Sequence, residues 1–467
     1  MSDTTSPARL LRRSFLVGGA GAATIVAAHT ALGGSRGPAS SGGVASGAAA
    51  ETTPLTDAAL AVGVVPDVHL AATDGWAAMP TATQAHLAPF WPDPLAPAPQ
   101  NLYVFGFRNV TNMTDAQVVK QRGMAQISAP QLQFKQDQDY RVKLSNLGLS
   151  VRPDLVDGHT IHWHGFVNAI PLFDGVPELS ISVPIGRSFT YFYRPHDPGT
   201  YMYHCHFEDV EHVQMGMTGL LFVTPKQNGT PFTDASNGKS YTKFAYNDGD
   251  GSTGYDREFG MILTEIFAEG HYRDAHIQTT DWTDFKASFW CLNGRSYPDT
   301  LLDNAPYVAG QGYDPTAPVP ATSDITPALQ FQPQSALVTC NAGERVLLRL
   351  ASLGYQNHAM TVDNIPLRIV GKDALHLRNG SVSHYLDTST VEIGPGESND
   401  VLLTAPAFDP AAAVVDRQGR SYNAYLLYDR NFAYSSNAGD PASPGGMVTQ
   451  IRVYAPGTLP AQSQPNA

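Results

Sequence analysis

The sequence predicts an all-β protein built from two β-sandwich domains, and three observations carry that reading. Charged residues make up only 15% of the 467-residue chain, while Gly (42) and Pro (35) are abundant. Short runs rich in Val, Ile, Phe and Tyr, such as Leu102-Tyr103-Val104-Phe105, recur between turn dipeptides, the pattern of stacked sheets. The length admits two or three domains, and an apolar fraction of 42% is enough to fill their cores. A net charge of −13 and a pI near 5.5 leave no basic footprint for nucleic acid or an anionic membrane. Small molecules or cations are the expected partners.

Near its N-terminus the chain reads Leu11-Arg12-Arg13-Ser14-Phe15-Leu16-Val17 and continues as an uncharged Gly/Ala-rich stretch through Leu32. A twin arginine ahead of a mildly apolar region is an export address, and Ala48-Ala49-Ala50 offers a small-residue cleavage site. The stretch is glycine-rich, contains His29 and is barely long enough to span a bilayer, which favours a signal over an anchor. Residues 1–50 are therefore expected to be a twin-arginine export signal with a low-complexity spacer. The mature protein would be periplasmic, cell-surface or extracellular.

Residues 51–94 read as a Pro/Ala-rich N-terminal arm in which His69 and His86 are solvated. The first sandwich is placed at 95–225, from Leu102-Tyr103-Val104-Phe105 through Tyr140-Arg141-Val142-Lys143-Leu144. A polar linker, 226–256, carries Asn228-Gly229 and Asp248-Gly249-Asp250-Gly251. The second sandwich, 257–456, contains Gly343-Glu344-Arg345-Val346-Leu347-Leu348 and Val391-Glu392-Ile393-Gly394-Pro395-Gly396, and 457–467 is a tail. Of three cysteines, Cys291 and Cys340 lie in strand-like runs of the second sandwich. They are either a disulfide of an exported protein or two buried free thiols.

The third cysteine sits in the run the whole chain is organised around, Tyr203-His204-Cys205-His206-Phe207-Glu208-Asp209-Val210-Glu211-His212-Val213-Gln214-Met215-Gly216-Met217. Side chains alternate along a strand and rise about 3.3 Å each, so His204 and His206 share one face roughly 6.6 Å apart and Cys205 takes the other. One strand thereby serves two metal centres. A thiolate (Cys205), an imidazole (His212) and a weak thioether (Met217) form the soft set of a blue copper electron-transfer site, one imidazole short. The other dense cluster is Gly158-His159-Thr160-Ile161-His162-Trp163-His164-Gly165, where alternation puts His162 and His164 on one face and Trp163 opposite.

These motifs resemble those of the multicopper oxidases. In that family His-x-x-His-x-His-Gly and a later His-Cys-His, followed by a histidine and an axial Met or Leu, carry the copper ions. His159, His162 and His164 fit the first motif, and His204, Cys205, His206, His212 and Met217 fit the second. The resemblance implies two Greek-key cupredoxin domains, with type 1 copper on His159, Cys205, His212 and Met217 and a type 2/type 3 site on His162, His164, His204 and His206. One spacing departs from the family: the loop from Cys205 to His212 is two residues longer than in laccases. Met217 is preferred to Met215 as axial ligand because it lies five residues beyond His212, the family's interval.

Eight potential ligands in two motifs, both on strand patterns, exceed the four that a structural zinc site needs. The resemblance further implies an enzyme passing single electrons from a phenolic, aromatic or metal-ion donor to oxygen, in a homotrimer whose second copper site lies between subunits. In the second sandwich the paired histidines of the family are replaced by Asn357-His358-Ala359-Met360 and by Tyr428-Asp429-Arg430. His358 is then the one candidate there, expected to reach across a subunit interface. His271, His276, His376 and His384 lack ligand spacing and read as surface or hydrogen-bonded histidines. Glu208, Asp209 and Glu211 form an acidic turn beside the electron-entry ligand, either solvated or attractive to a cationic donor. Two rival functions stay open: a copper nitrite reductase, and a non-catalytic blue-copper carrier whose second site is incomplete.

Overall fold

A computed structural model describes residues 56–57, 65–80, 87–167, 169–314, 316–438, 440 and 444–467. The twin-arginine segment, residues 48–50 and His86 lie outside the described residues. In the first sandwich the strands are β1 (Val68–Ala77), β2 (Leu102–Asn109), β3 (Leu132–Lys135), β4 (Tyr140–Asn146), β5 (His162–His164), β6 (Arg187–Tyr193), β7 (Gly199–His204) and β8 (Thr218–Thr224). One sheet runs β6-β4-β1-β2, with the short strand Thr56–Asp57 beside β6, and the other runs β3-β8-β7-β5. Alternation turns Phe105, Val142 and Tyr191 of the first sheet toward Phe134, Trp163 and Tyr203 of the second, and these rings and aliphatics fill the space between. Full burial of such side chains stabilises by about 1.5–3 kcal/mol each.

The second sandwich repeats this plan with β9 (Arg257–Ile266), β10 (Phe289–Leu292), β11 (Val338–Asn341), β12 (Arg345–Ser352), β13 (His358–Val362), β14 (Leu367–Lys372), β15 (Thr390–Ile393), β16 (Ser398–Thr404), β17 (Ser421–Asp429) and β18 (Val448–Tyr454). Its sheets run β10-β9-β12-β16-β14 and β11-β18-β17-β13-β15. Just as β1 pairs antiparallel with β2 and parallel with β4, β9 pairs antiparallel with β10 and parallel with β12. The parallel pair β3 and β8 is matched by β11 and β18, and the antiparallel pair β5 and β7 by β13 and β17. By topology β13 is thus the counterpart of β5, and β17 that of β7.

The two sandwiches meet at the strand that carries the central motif. Thr200 on β7 donates from Oγ1 to Asp400 Oδ1 at 2.6 Å and accepts at its carbonyl from Ser398 Oγ at 2.7 Å. Asp400 is in turn held by Arg349 at 3.2 Å, and Arg349 also pairs with Glu258 at 2.9 Å, all of them buried. Two carboxylates share one guanidinium here, which satisfies charges that would be costly to bury singly.

Three expectations are corrected, and the open choice for Cys291 and Cys340 is decided. The arm at 51–94 contributes β1, whose neighbours on both sides make it a central strand, and His69 is buried on it with Nε2 2.7 Å from Ser145 Oγ. The segment at 226–256 is packed, with Ala245, Tyr246 and Tyr255 in a buried cluster and Asp234 paired to Arg345 at 2.6 Å. The tail is anchored by Asn466, whose Oδ1 accepts from Gly260 N at 2.9 Å. Cys291 and Cys340 are free thiols in separate cores, so no disulfide joins them, and burial pushes each up to about 12.

Candidate metal centre

The local sequence explains how the central run delivers its ligands. β7 ends at His204, and Glu208, with φ of 48°, turns the chain into the helix α1 (Asp209–Met215). That helix occupies the loop that is two residues longer than the family's, and it carries His212 inward to complete burial. It stops at Gly216, whose φ of 117° and close approach exclude any other residue: an added Cβ would sit 2.5 Å from Ile127 Cγ2 and 2.9 Å from Phe105 O. Beyond the stop, Met217 donates its N–H to His212 O at 3.0 Å and accepts Cys205 N at 3.2 Å. Met217 is therefore tied by backbone to both neighbouring ligands, and its side chain is buried.

His159, Cys205 and His212 converge within 4.8 Å of one another at their ligand atoms, all fully or almost fully buried. His212 Nδ1 lies 3.2 Å and His159 Nδ1 3.7 Å from Cys205 Sγ, and the Thr160 N–H points at the same sulfur from 3.5 Å. Two imidazole nitrogens facing one thiol form a donor set that suits copper, and the buried Met217 is the thioether candidate beside them in sequence. Burial by itself would lower the His212 pKa, but the neighbouring Cys205 and Asp157 outweigh it and lift it to about 10. His159 has no such support, and burial followed by repulsion from His212 drives it well below the usual imidazole range. A metal ion at this point replaces the proton that His212 otherwise holds. Asp157 Oδ2 lies 3.8 Å from His212 Nε2, an ion-pair distance rather than a hydrogen bond.

On the other face of the same strand a second group forms. His162, His164 and His204 place ligand nitrogens within 4.8 Å of one another. His206 joins them: its ring centroid is 5.0 Å from that of His162 and 5.6 Å from that of His204. Trp163 between them is buried in the core, as alternation requires. Tautomers are fixed from outside the group. His162 Nδ1–H donates to Asp174 O at 2.7 Å, and His204 Nδ1–H to Cys205 O at 2.8 Å, which leaves both Nε2 lone pairs for a metal. The Asp174-Gly175 turn makes the first bond possible, since Gly175 (φ 79°) passes so close to Ile161 that a Cβ would lie 2.1 Å from its carbonyl oxygen. Burial, then mutual repulsion, lowers His162 and His164 and takes His204 to about 3, so the group stays neutral and ligating.

His358 does not join this group, and its expected place at a subunit interface is corrected. Its side chain is fully buried within its own chain, with Nε2 2.7 Å from Glu265 Oε1 and Nδ1 2.7 Å from Asp429 Oδ2. Both nitrogens are occupied, and no metal-ligating group among the described residues includes it. Burial would lower its pKa, but the two carboxylates win and raise it to about 9. His271 is likewise buried, held by the carbonyls of Tyr103 and Gln214. Sequence reasoning missed Asp157 and Thr160 as supports, although one flanks and one lies within the first histidine motif, and it missed Asp174, nine residues past that motif. It also missed Glu265, which carries no local signal at all.

Fold and site together give two β-sandwiches, the first of which carries a buried donor set that suits copper. Residues 111–228 match the multicopper oxidase family model. Laccase-1 of Emericella nidulans is 35% identical over 100 residues, covering 21% of this chain and 15% of that protein. L-ascorbate oxidase of Cucurbita maxima is 25% identical over 276 residues, 56% of this chain and 40% of that protein, so the chain spans less than half the length of these relatives. The solved blue copper oxidase of Nitrosomonas europaea shares the fold, with a TM-score of 0.53 at 19% identity over 82% of this chain and 85% of that one. Residues 111–228 are thus similar to a multicopper oxidase domain, and the second sandwich repeats the strand plan of the first.

Proposed function

We propose that the protein is a copper-dependent oxidoreductase that takes single electrons from a phenolic, aromatic or metal-ion donor and delivers them to oxygen. The observation that carries this reading is the back-to-back arrangement on one strand: His159 Nδ1 and His212 Nδ1 meet Cys205 Sγ on one face, and His204 and His206 stand with His162 and His164 on the other. Copper bound at the two faces supplies one-electron redox chemistry. His159, Cys205, His212 and Met217 would hold the first ion, and His162, His164, His204 and His206 the second site.

The protein's own groups do the rest. Cys205 is covalently continuous with His204 and His206, so its backbone is the shortest path between the two sites. Burial of His159 and His212 excludes water from the thiolate, and Asp157 faces His212 from the solvent side. Export by the twin-arginine route and assembly as a homotrimer complete the proposal. The first is supported by Arg12-Arg13 ahead of an apolar stretch. The second is supported by the need for ligands beyond the four imidazoles that one chain supplies to the second site.

A carrier without oxidase activity is the second reading, favoured by the sealing of His358 between Glu265 and Asp429. Counting copper per chain alongside an electron paramagnetic resonance spectrum separates the two. Type 1 and additional copper signals with oxygen uptake support the oxidase. One type 1 copper per chain, with no uptake from any donor, establishes the carrier.

A further inference from the structure

We propose that a cleft between the first sandwich and a hairpin of the second, remote from the metal centre, binds a neutral carbohydrate. The cleft lies between β3 and the hairpin whose strands are Tyr307–Val308 and Gly312–Tyr313, and it encloses about 250 Å3. This is just under the ~300–1,000 Å3 of sites for drug-sized ligands, which suits a single ring unit of a longer chain. In its sheet β3 is the edge opposite β5, three strand spacings or about 14 Å away from His162 and His164.

Amides dominate the lining, with Gln126, Gln131, Gln133, Gln311 and Gln334 joined by Asn109. Apart from tyrosine, Asp67 is the one ionisable side chain among the described residues that line it, in a chain of net charge −13. An amide carries a donor and an acceptor without charge, as a sugar hydroxyl does, although Asn109 already uses both on Gln311 O and Thr111. The orientation of two amides is set from behind. Gln126 accepts from Arg108 Nη1 at 3.2 Å, and because a guanidinium only donates, the NH2 end of Gln126 is left for the cleft. Gln334, 6% exposed, donates from Nε2 to Gln131 Oε1 at 2.7 Å, leaving the Gln131 NH2 for a ligand. Arg108 itself is sealed by Gln121, Gln126 and Asp314, so no cation is offered to a phosphate or carboxylate.

Aromatic rings supply the second half of the chemistry. The hairpin register sets Tyr307 opposite Tyr313 on one face, with centroids 5.5 Å apart at 80°. The Tyr313 hydroxyl donates to Pro465 O at 2.7 Å and pins the hairpin, while Tyr307 stays 46% exposed and presents its ring. On the β3 side Tyr140 stacks on Phe134 at 4.0 Å. The electron-rich face of a tyrosine ring attracts the polarised C–H face of a sugar. A wholly apolar ligand would strand the amides, and a charged one would find no counter-charge.

The test uses the full-length copper-loaded protein on an array of neutral and acidic oligosaccharides, followed by titration calorimetry with the best-retained glycan. Retention of a neutral glycan is expected, weakened about tenfold or more by Tyr307→Ala and by Gln131→Ala, with the copper charge-transfer band unchanged. Gln133→Ala, at an exposed position, serves as a third variant should either of the others unfold. Absence of neutral-glycan retention, preference for acidic glycans, or binding that none of the variants weakens would overturn the proposal. A missing charge-transfer band in the parent protein would instead count against the copper assignment, which this site does not depend on.

Discussion

On β5 and β7 of the first sandwich, imidazoles meet one another, whereas on the equivalent β13 and β17 of the second an imidazole meets carboxylates. The pairing is closely matched: His162 opposes His204 in one sheet, and Met360 opposes Asp429 in the other. The histidines packed together here have a carboxylate near them, Asp174 at 3.6 Å from His162 Nδ1, and burial still pushes them toward the neutral form, His204 to about 3, so that they keep lone pairs for a metal. His358, bracketed by Glu265 and Asp429, is lifted to about 9 and has none to give. The same strand plan therefore yields a ligand cluster or a sealed ion triad, according to which charge stands across the sheet.

The largest effect is expected where the first region is broken. Cys205→Ser should abolish the thiolate charge-transfer band and the type 1 paramagnetic signal completely. A wild-type protein that stays colourless after copper reconstitution, or a variant that keeps the band, would sink the assignment.

Breaking the second region should cost stability instead of copper. His358→Ala leaves two buried carboxylates without their cation, each keeping a backbone N–H from Tyr355 or Asn431, and loss of one member of such a set typically destabilises by about 3–5 kcal/mol. Denaturant titration should show this drop while copper content and colour are unchanged. Loss of copper at wild-type stability would restore the interface role for His358.

A pH series sharpens the comparison further. The folded pKa of His358, about 9, exceeds its ordinary value of 6.5, so its contribution is complete below 6.5 and is lost as pH rises through about 9. Thermal unfolding of the wild type should weaken across that window. In the double variant Glu265→Gln/Asp429→Asn that slope should flatten, and an unaltered slope would assign it to other groups.

The smallest effect concerns the weak axial ligand. Met217→Leu should raise the type 1 reduction potential and keep the colour, whereas Met215→Leu, in the helix before the stop at Gly216, should leave the potential nearly unchanged. Voltammetry giving the reverse order would show that α1 shifts the register.

Part of this was legible in the sequence because it depends on neighbours along the chain. Period-two alternation alone places His162 with His164, His204 with His206, and Trp163 in the core. Donor chemistry grouped His212 with Cys205, the resemblance added His159, and the structure brings both Nδ1 atoms to the sulfur. The helix Asp209–Met215 was not legible, because its position depends on Gly216 fitting against Ile127 and Phe105. Nor was β1, since the Ala- and Pro-rich composition around it masks a strand whose partners are Leu102–Asn109 and Tyr140–Asn146.

By itself the sequence determined which residues carry soft and nitrogen donors and which of them share a strand face, since strand geometry repeats every two residues whatever the fold. Tertiary structure alone decided which histidine would be a ligand and which a counter-ion. Glu265 lies 93 residues and Asp429 71 residues from His358, and only packing of β9 and β17 against β13 brings both carboxylates to 2.7 Å. An imidazole's role is set by the charges around it once water is excluded, and those charges come from distant parts of the chain.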